Sequence, residues 1–60
     1  MYLFELHYIV IDTGKEILKG IEIDRQLFVT ERELFLYAMN MAYDMAKENE
    51  LFSSIEFIGC

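Results

Sequence analysis

The chain has 60 residues, eleven acids, five bases and a net charge of −6. This charge argues against direct binding to nucleic-acid phosphates and against docking on anionic membranes, because both need basic surfaces. One cysteine excludes an internal disulfide, and no Cys/His cluster offers a structural zinc site. We expect one small domain over residues 1–60, located in the cytoplasm, with no cofactor and no enzymatic activity.

The first predicted element is a strand over residues 2–11. Alternate side chains there share one apolar face, formed by Tyr2, Phe4, Leu6, Tyr8 and Val10. The opposite face is mixed and carries Leu3, Glu5, His7, Ile9 and Ile11. A repeat of two residues with one fully apolar side is typical of a β-strand that packs on a core.

A hairpin follows, with turn residues over 12–15 and a second strand from Glu16 to about Asp24. With Thr13 and Gly14 at the tip, the apolar residues of the two strands face each other. The predicted pairs are Val10 with Ile17, Tyr8 with Lys19, Leu6 with Ile21, and Phe4 with Ile23. A slip of one residue would scatter the apolar face, so the pattern favours this register.

The helix start has the clearest local signals in the chain. Thr30 can cap the first turn, Glu33 can bond back to the Thr30 amide, and Val29 can pack against Leu34. We predict a helix from Glu31 to about Asn49, where Asn49 ends it in a left-handed conformation.

The predicted helix is amphipathic. Its core-facing stripe consists of Leu34, Phe35, Ala38, Met41, Ala42, Met45 and Ala46. Leu36, Met39 and Tyr43 lie outside this stripe and form a second, exposed apolar patch. Before the helix, Leu27 and Phe28 are expected to close the end of the core.

A third strand is predicted over Ser54 to Ile58, which gives the order β-β-α-β. We expect an α+β fold with a three-stranded antiparallel sheet of order 2-1-3, in which strands 2 and 3 are parallel to each other around central strand 1. One helix packs on one face of the sheet. The arrangement resembles half of a ferredoxin-like sandwich.

This layout leaves one sheet face uncovered. The apolar residues predicted on it are Leu3, Ile9, Ile11, Leu18 and Ile58. A homodimer, or docking on a larger protein, would cover this face or the helix patch. The sequence therefore favours a non-enzymatic protein-interaction module of unknown cellular role. The alternative is an acidic nucleic-acid mimic that inhibits a basic DNA- or RNA-binding protein.

His7 is the only histidine, and the predicted register sets it opposite Gly20, near Glu5 and Glu22. An imidazole with two carboxylates can bind a divalent metal or sense pH. Solvated acids on an open sheet are the simpler interpretation, so we predict no metal site and no catalytic residue. Cys60 has no base nearby in the sequence that would activate its thiol.

Overall fold

The computed structural model describes residues 1–24, 26 and 30–59. They form β1 (Tyr2–Val10), β2 (Glu16–Ile23), α1 (Glu31–Met45) and β3 (Glu50–Gly59). The sheet order is β2-β1-β3, and both ladders with β1 are antiparallel. The α+β class and the central place of β1 are confirmed. The predictions for Leu27, Phe28, Val29 and Cys60 lie outside the described residues.

The hairpin register differs from the predicted one by two residues. Phe4 pairs with Ile21 rather than Ile23, and Tyr8 pairs with Ile17 rather than Lys19. The cause is the turn: the Val10 amide bonds the Lys15 carbonyl at 2.8 Å, which leaves a loop of residues 11–14 rather than a two-residue tip. Because a shift of two residues keeps every side chain on its own face, the predicted faces hold although the pairs were wrong.

The core lies between the sheet and α1. Its buried side chains are Phe4, Leu6, Tyr8, Ile21, Ile23, Leu34, Ala38 and Ala42. Ala38 and Ala42 are fully covered, and their small size lets the helix approach the aromatic residues of β1 closely. The predicted helix stripe is confirmed at Leu34, Ala38 and Ala42, which are all buried. Phe35 was predicted in the core but is 41% exposed, and its ring packs edge-on against Phe4 with the ring centroids 5.4 Å apart.

The helix begins where the sequence predicted and ends four residues earlier. The Thr30 hydroxyl oxygen accepts a hydrogen bond from the Glu33 amide at 3.2 Å. The predicted end at Asn49 is wrong, because Ala46 is already extended (φ −70°, ψ 130°) and Asn49 has no positive φ. Residues 46–49 instead lead directly into β3.

β3 is twice as long as predicted and starts at Glu50 rather than Ser54. Its register with β1 shifts twice, at Ser53 and at Ile58, each of which is an extra residue without a partner on β1. These bulges break the alternation of the sequence. As a result Phe52 joins Ile55 in packing against the helix-side core, although the two residues are three positions apart.

Candidate functional site

The candidate site is the open face of the sheet, which we define as the side opposite α1. The predicted residues Leu3, Ile9, Ile11, Leu18 and Ile58 are all exposed there. Leu51, which was not among the predicted residues, is 58% exposed and pairs with Ile9. It was missed because the strand was not predicted to reach that far. Six exposed apolar side chains on one small sheet face are more than the scattered hydrophobes of an ordinary surface.

A depression marks one end of the open face. It has a volume of about 340 Å³ and is lined by Leu3, Phe4, Glu5, Gly20, Ile21, Glu22 and Ile58. Gly20 is one of the lining residues, and a Cβ atom added there would meet nothing within 4 Å. The missing side chain of Gly20 therefore produces a concave surface that is large enough to receive a side chain from another molecule.

A cluster of one histidine and three carboxylates lies at the centre of the open face. The Nε2 atom of His7 is 3.3 Å from Oε1 of Glu5 and 3.7 Å from Oε2 of Glu56. Its Nδ1 atom is 3.2 Å from Oε1 of Glu16. The His7 side chain is 19% exposed, whereas those of Glu16 and Glu56 are more than half exposed. The ring is thus held between acids on both of its nitrogen edges.

The structure changes the predicted surroundings of His7. Glu22 was expected beside it, but Glu22 pairs with Leu3, and His7 lies opposite Leu18 rather than Gly20. The two-residue register shift that removes Glu22 brings in Glu16. Glu56 was missed as well, since it reaches the cluster across the second ladder.

The strands fix three of these residues by simple geometry. Glu5 and His7 are two apart on β1 and therefore share a face. Glu56 is the direct partner of Glu5 on β3. Two like charges directly opposite each other destabilise a sheet, and a cation between them removes that cost. A cation at this position would therefore be favoured by the two carboxylates.

The predicted helix patch is only partly a separate surface. Leu36 and Tyr43 are exposed, as expected, whereas Met39 is half-buried. The Tyr43 ring packs edge-on against Phe52 of β3, with centroids 5.0 Å apart. This contact covers part of the patch, so the open sheet face offers the larger uncovered apolar area.

No protein-family model matches the chain, and neither a curated protein nor a solved structure matches it. No role is therefore carried over from a relative. In the part of the chain that the structure describes, no helix has both the length and the apolar character needed to cross a membrane.

Proposed function

We propose that the chain is a non-enzymatic protein-interaction module that associates with a second copy of itself through the open face of its sheet. The observation that supports this proposal is that only one face of the sheet is covered by the helix. α1 packs on one face, while the other carries six exposed apolar side chains: Leu3, Ile9, Ile11, Leu18, Leu51 and Ile58. Burial of such a surface is the main driving force of protein association.

The size of the face supports a second copy as the occupant. The molecule extends 39 × 18 × 13 Å, so a rectangle drawn around its broad side measures roughly 700 Å². Two copies in contact over that whole outline would bury about 1,400 Å² in total, which lies within the range of stable specific interfaces. A two-fold axis parallel to the sheets would use the same patch on both copies.

The pattern of the face supports the same arrangement. Leu3 and Ile58 lie at one end, Ile9 and Leu51 lie at the other, and the His7 cluster lies between them. In a two-fold dimer the apolar ends cover each other and the acidic centres meet. The association is therefore expected to strengthen when cations or protons reduce the negative charge of the two centres.

Sedimentation equilibrium over a wide range of protein concentrations tests the proposal, once with EDTA and once with zinc. We expect a dimer in at least one condition. Leu18→Thr and Leu51→Thr remove apolar area while keeping strand propensity, and each acts twice in a symmetric dimer. Each should weaken the dimer by about tenfold or more. Leu36→Gln makes an exposed leucine polar on the helix and should leave the dissociation constant of the dimer unaltered.

A second variant tests the depression directly. Gly20→Val places a side chain in this depression, where a Cβ atom on residue 20 would meet nothing within 4 Å. The fold should persist while the dimer weakens. A monomer in both conditions would overturn the proposal, and so would a dimer that responds to Leu36→Gln but not to the sheet variants. The latter result would assign the interface to the helix patch.

A further inference from the structure

We propose that Glu5, His7 and Glu56 bind a divalent first-row transition-metal ion, with Glu16 as a positioning residue. All of these side chains belong to one copy of the chain, so the inference goes beyond the proposed self-association and does not depend on it. The predicted register placed Glu22, rather than Glu56 and Glu16, beside the histidine, and solvated acids were the simpler interpretation of that set.

The distances between the ligand atoms fit a metal ion. With bonds of 2.0–2.2 Å, neighbouring ligands of a tetrahedral ion lie about 3.4 Å apart. The His7 Nε2 atom is 3.3 Å from the Glu5 oxygen and 3.7 Å from the Glu56 oxygen. The three ligand atoms all lie within 4.8 Å of one another.

The other edge of the imidazole supports the same assignment. Oε1 of the Glu16 carboxylate lies 3.2 Å from Nδ1 of His7, so the tautomer that carries its hydrogen on Nδ1 can donate to it. Metal-binding histidines commonly make this bond, since it fixes the ring orientation and leaves Nε2 with a lone pair for the ion. Here Nε2 is the nitrogen that faces Glu5 and Glu56.

The donor set determines the class of ion. One imidazole nitrogen and two carboxylate oxygens suit Zn²⁺, Co²⁺ or Mn²⁺ better than Mg²⁺ or Ca²⁺, which prefer oxygen ligands alone. The ion would also offset the charge of Glu5 and Glu56, which are direct partners across the β1–β3 ladder. With three protein ligands, the ion keeps a coordination position for water on the solvent side of the sheet.

Metal binding is measured on untagged protein by competition between ZnCl₂ and a chromophoric chelator. Protein is kept dilute, so that binding is recorded below any dimerisation. CoCl₂ supplies an independent readout, because tetrahedral Co²⁺ with protein ligands absorbs strongly in the visible range. A Cys60→Ser background removes the thiol as a competing ligand. MgCl₂ serves as the control ion and should not bind.

Four substitutions test the ligands, and the three Glu→Gln changes among them each remove the same single charge. His7→Gln and Glu56→Gln should weaken zinc binding by about tenfold or more, because each removes a direct ligand. Glu16→Gln should also weaken it by about tenfold, through loss of the ring orientation. Glu22→Gln removes the same charge from the same face but lies outside the cluster, so it should change binding by less than about twofold.

Each outcome decides the matter. Absence of zinc binding tighter than about 1 mM would overturn the inference. Equal effects of Glu22→Gln and Glu56→Gln would overturn it too, because they would indicate attraction by net charge alone. Zinc binding by a monomer that never dimerises would support the metal site and overturn the proposed function. A dimer without zinc binding would do the reverse.

Discussion

The ammonium nitrogen of Lys19 lies 2.9 Å from the carbonyl oxygen of Met45, so a residue of β2 caps the last turn of α1. That turn contains no basic residue of its own. The same ammonium group donates to Oε1 of Glu50 at 2.7 Å and lies 4.4 Å from the centre of the Tyr8 ring. One side chain thereby connects β2, the helix end and the start of β3.

We expect Lys19→Met to lower the free energy of unfolding by about 2 kcal/mol, because it removes two hydrogen bonds that involve a charged group. Urea denaturation provides the measurement. Lys15→Met makes the same change in the exposed hairpin loop and should alter stability by less than about 0.5 kcal/mol. Equal losses in the two variants would show that the helix end does not depend on Lys19.

Tyr8 makes a second connection between the sheet and the helix end. Its side chain is fully buried, and its hydroxyl donates to the Ala42 carbonyl. The Ala46 amide, which would continue the helix, bonds the Tyr43 carbonyl instead. Tyr8→Phe should therefore cost about 1–2 kcal/mol. The exposed Tyr43 provides the control, since Tyr43→Phe keeps the ring contact with Phe52 and should be nearly neutral.

Glu50 makes the free energy of unfolding depend on pH in the acidic range. Its hydrogen bond from Lys19, followed by the one from the Lys47 amide, holds the pKa of this carboxyl below the ordinary value of 4.5. A lowered pKa stabilises the fold above the ordinary value, and the contribution disappears as pH falls through the folded pKa. Urea midpoints measured between about pH 6 and pH 3 should fall less steeply in Glu50→Gln than in the parent. Glu48→Gln, at an exposed position, should keep the parent slope.

Tyr8 makes the free energy of unfolding fall as pH rises in the alkaline range. Burial is the main cause that raises the pKa of its hydroxyl above 10.0, and the nearby Lys19 partly counteracts it. A raised pKa contributes stability that is complete below the ordinary value and disappears as pH rises through the folded pKa. The parent should thus lose stability above about pH 10, and Tyr8→Phe should lose less of it. Parallel curves for the two proteins would contradict this.

Substitution by alanine should change the free energy of unfolding in opposite directions at Gly14 and Gly20. Gly14 has φ +71°, a left-handed conformation that costs an alanine about 1–2 kcal/mol, so Gly14→Ala should destabilise the hairpin. Gly20 lies inside β2 without a positive φ and with open space above it. Gly20→Ala should raise the free energy of unfolding by up to about 1 kcal/mol. Thermal unfolding of both variants checks the sign of each change.

The faces of the strands could be predicted from the sequence, whereas the pairs could not. Alternation of Phe4, Leu6 and Tyr8 determines which side chains point to the core, and it is unchanged by any even slip of register. The actual register depends on the loop over residues 11–14, whose composition permits more than one length. This ambiguity affects the site directly, since it decides whether Glu16 or Glu22 lies near His7.

The end of α1 and the start of β3 could not be predicted from the sequence, for another reason. Apolar periodicity continues through Met45 and Ala46, so no local signal stops the helix there. The contact that stabilises this end joins Met45 to Lys19, which is 26 positions away. In β3, the bulge at Ser53 breaks the alternation on which strand prediction relies. Both features depend on tertiary contacts rather than on neighbouring residues.

The two bulges of β3 have a consequence for growth by strand addition. A bulge bends its strand and increases the local twist, so the outer edge of β3 is a poor template for another strand. The outer edge of β2 has no such interruption in its ladder with β1. Copies joined through their β2 edges would expose only β3 edges outward. Strand addition at the β2 edge would therefore stop at two chains, because the bulged β3 edges would be the only ones left to pair.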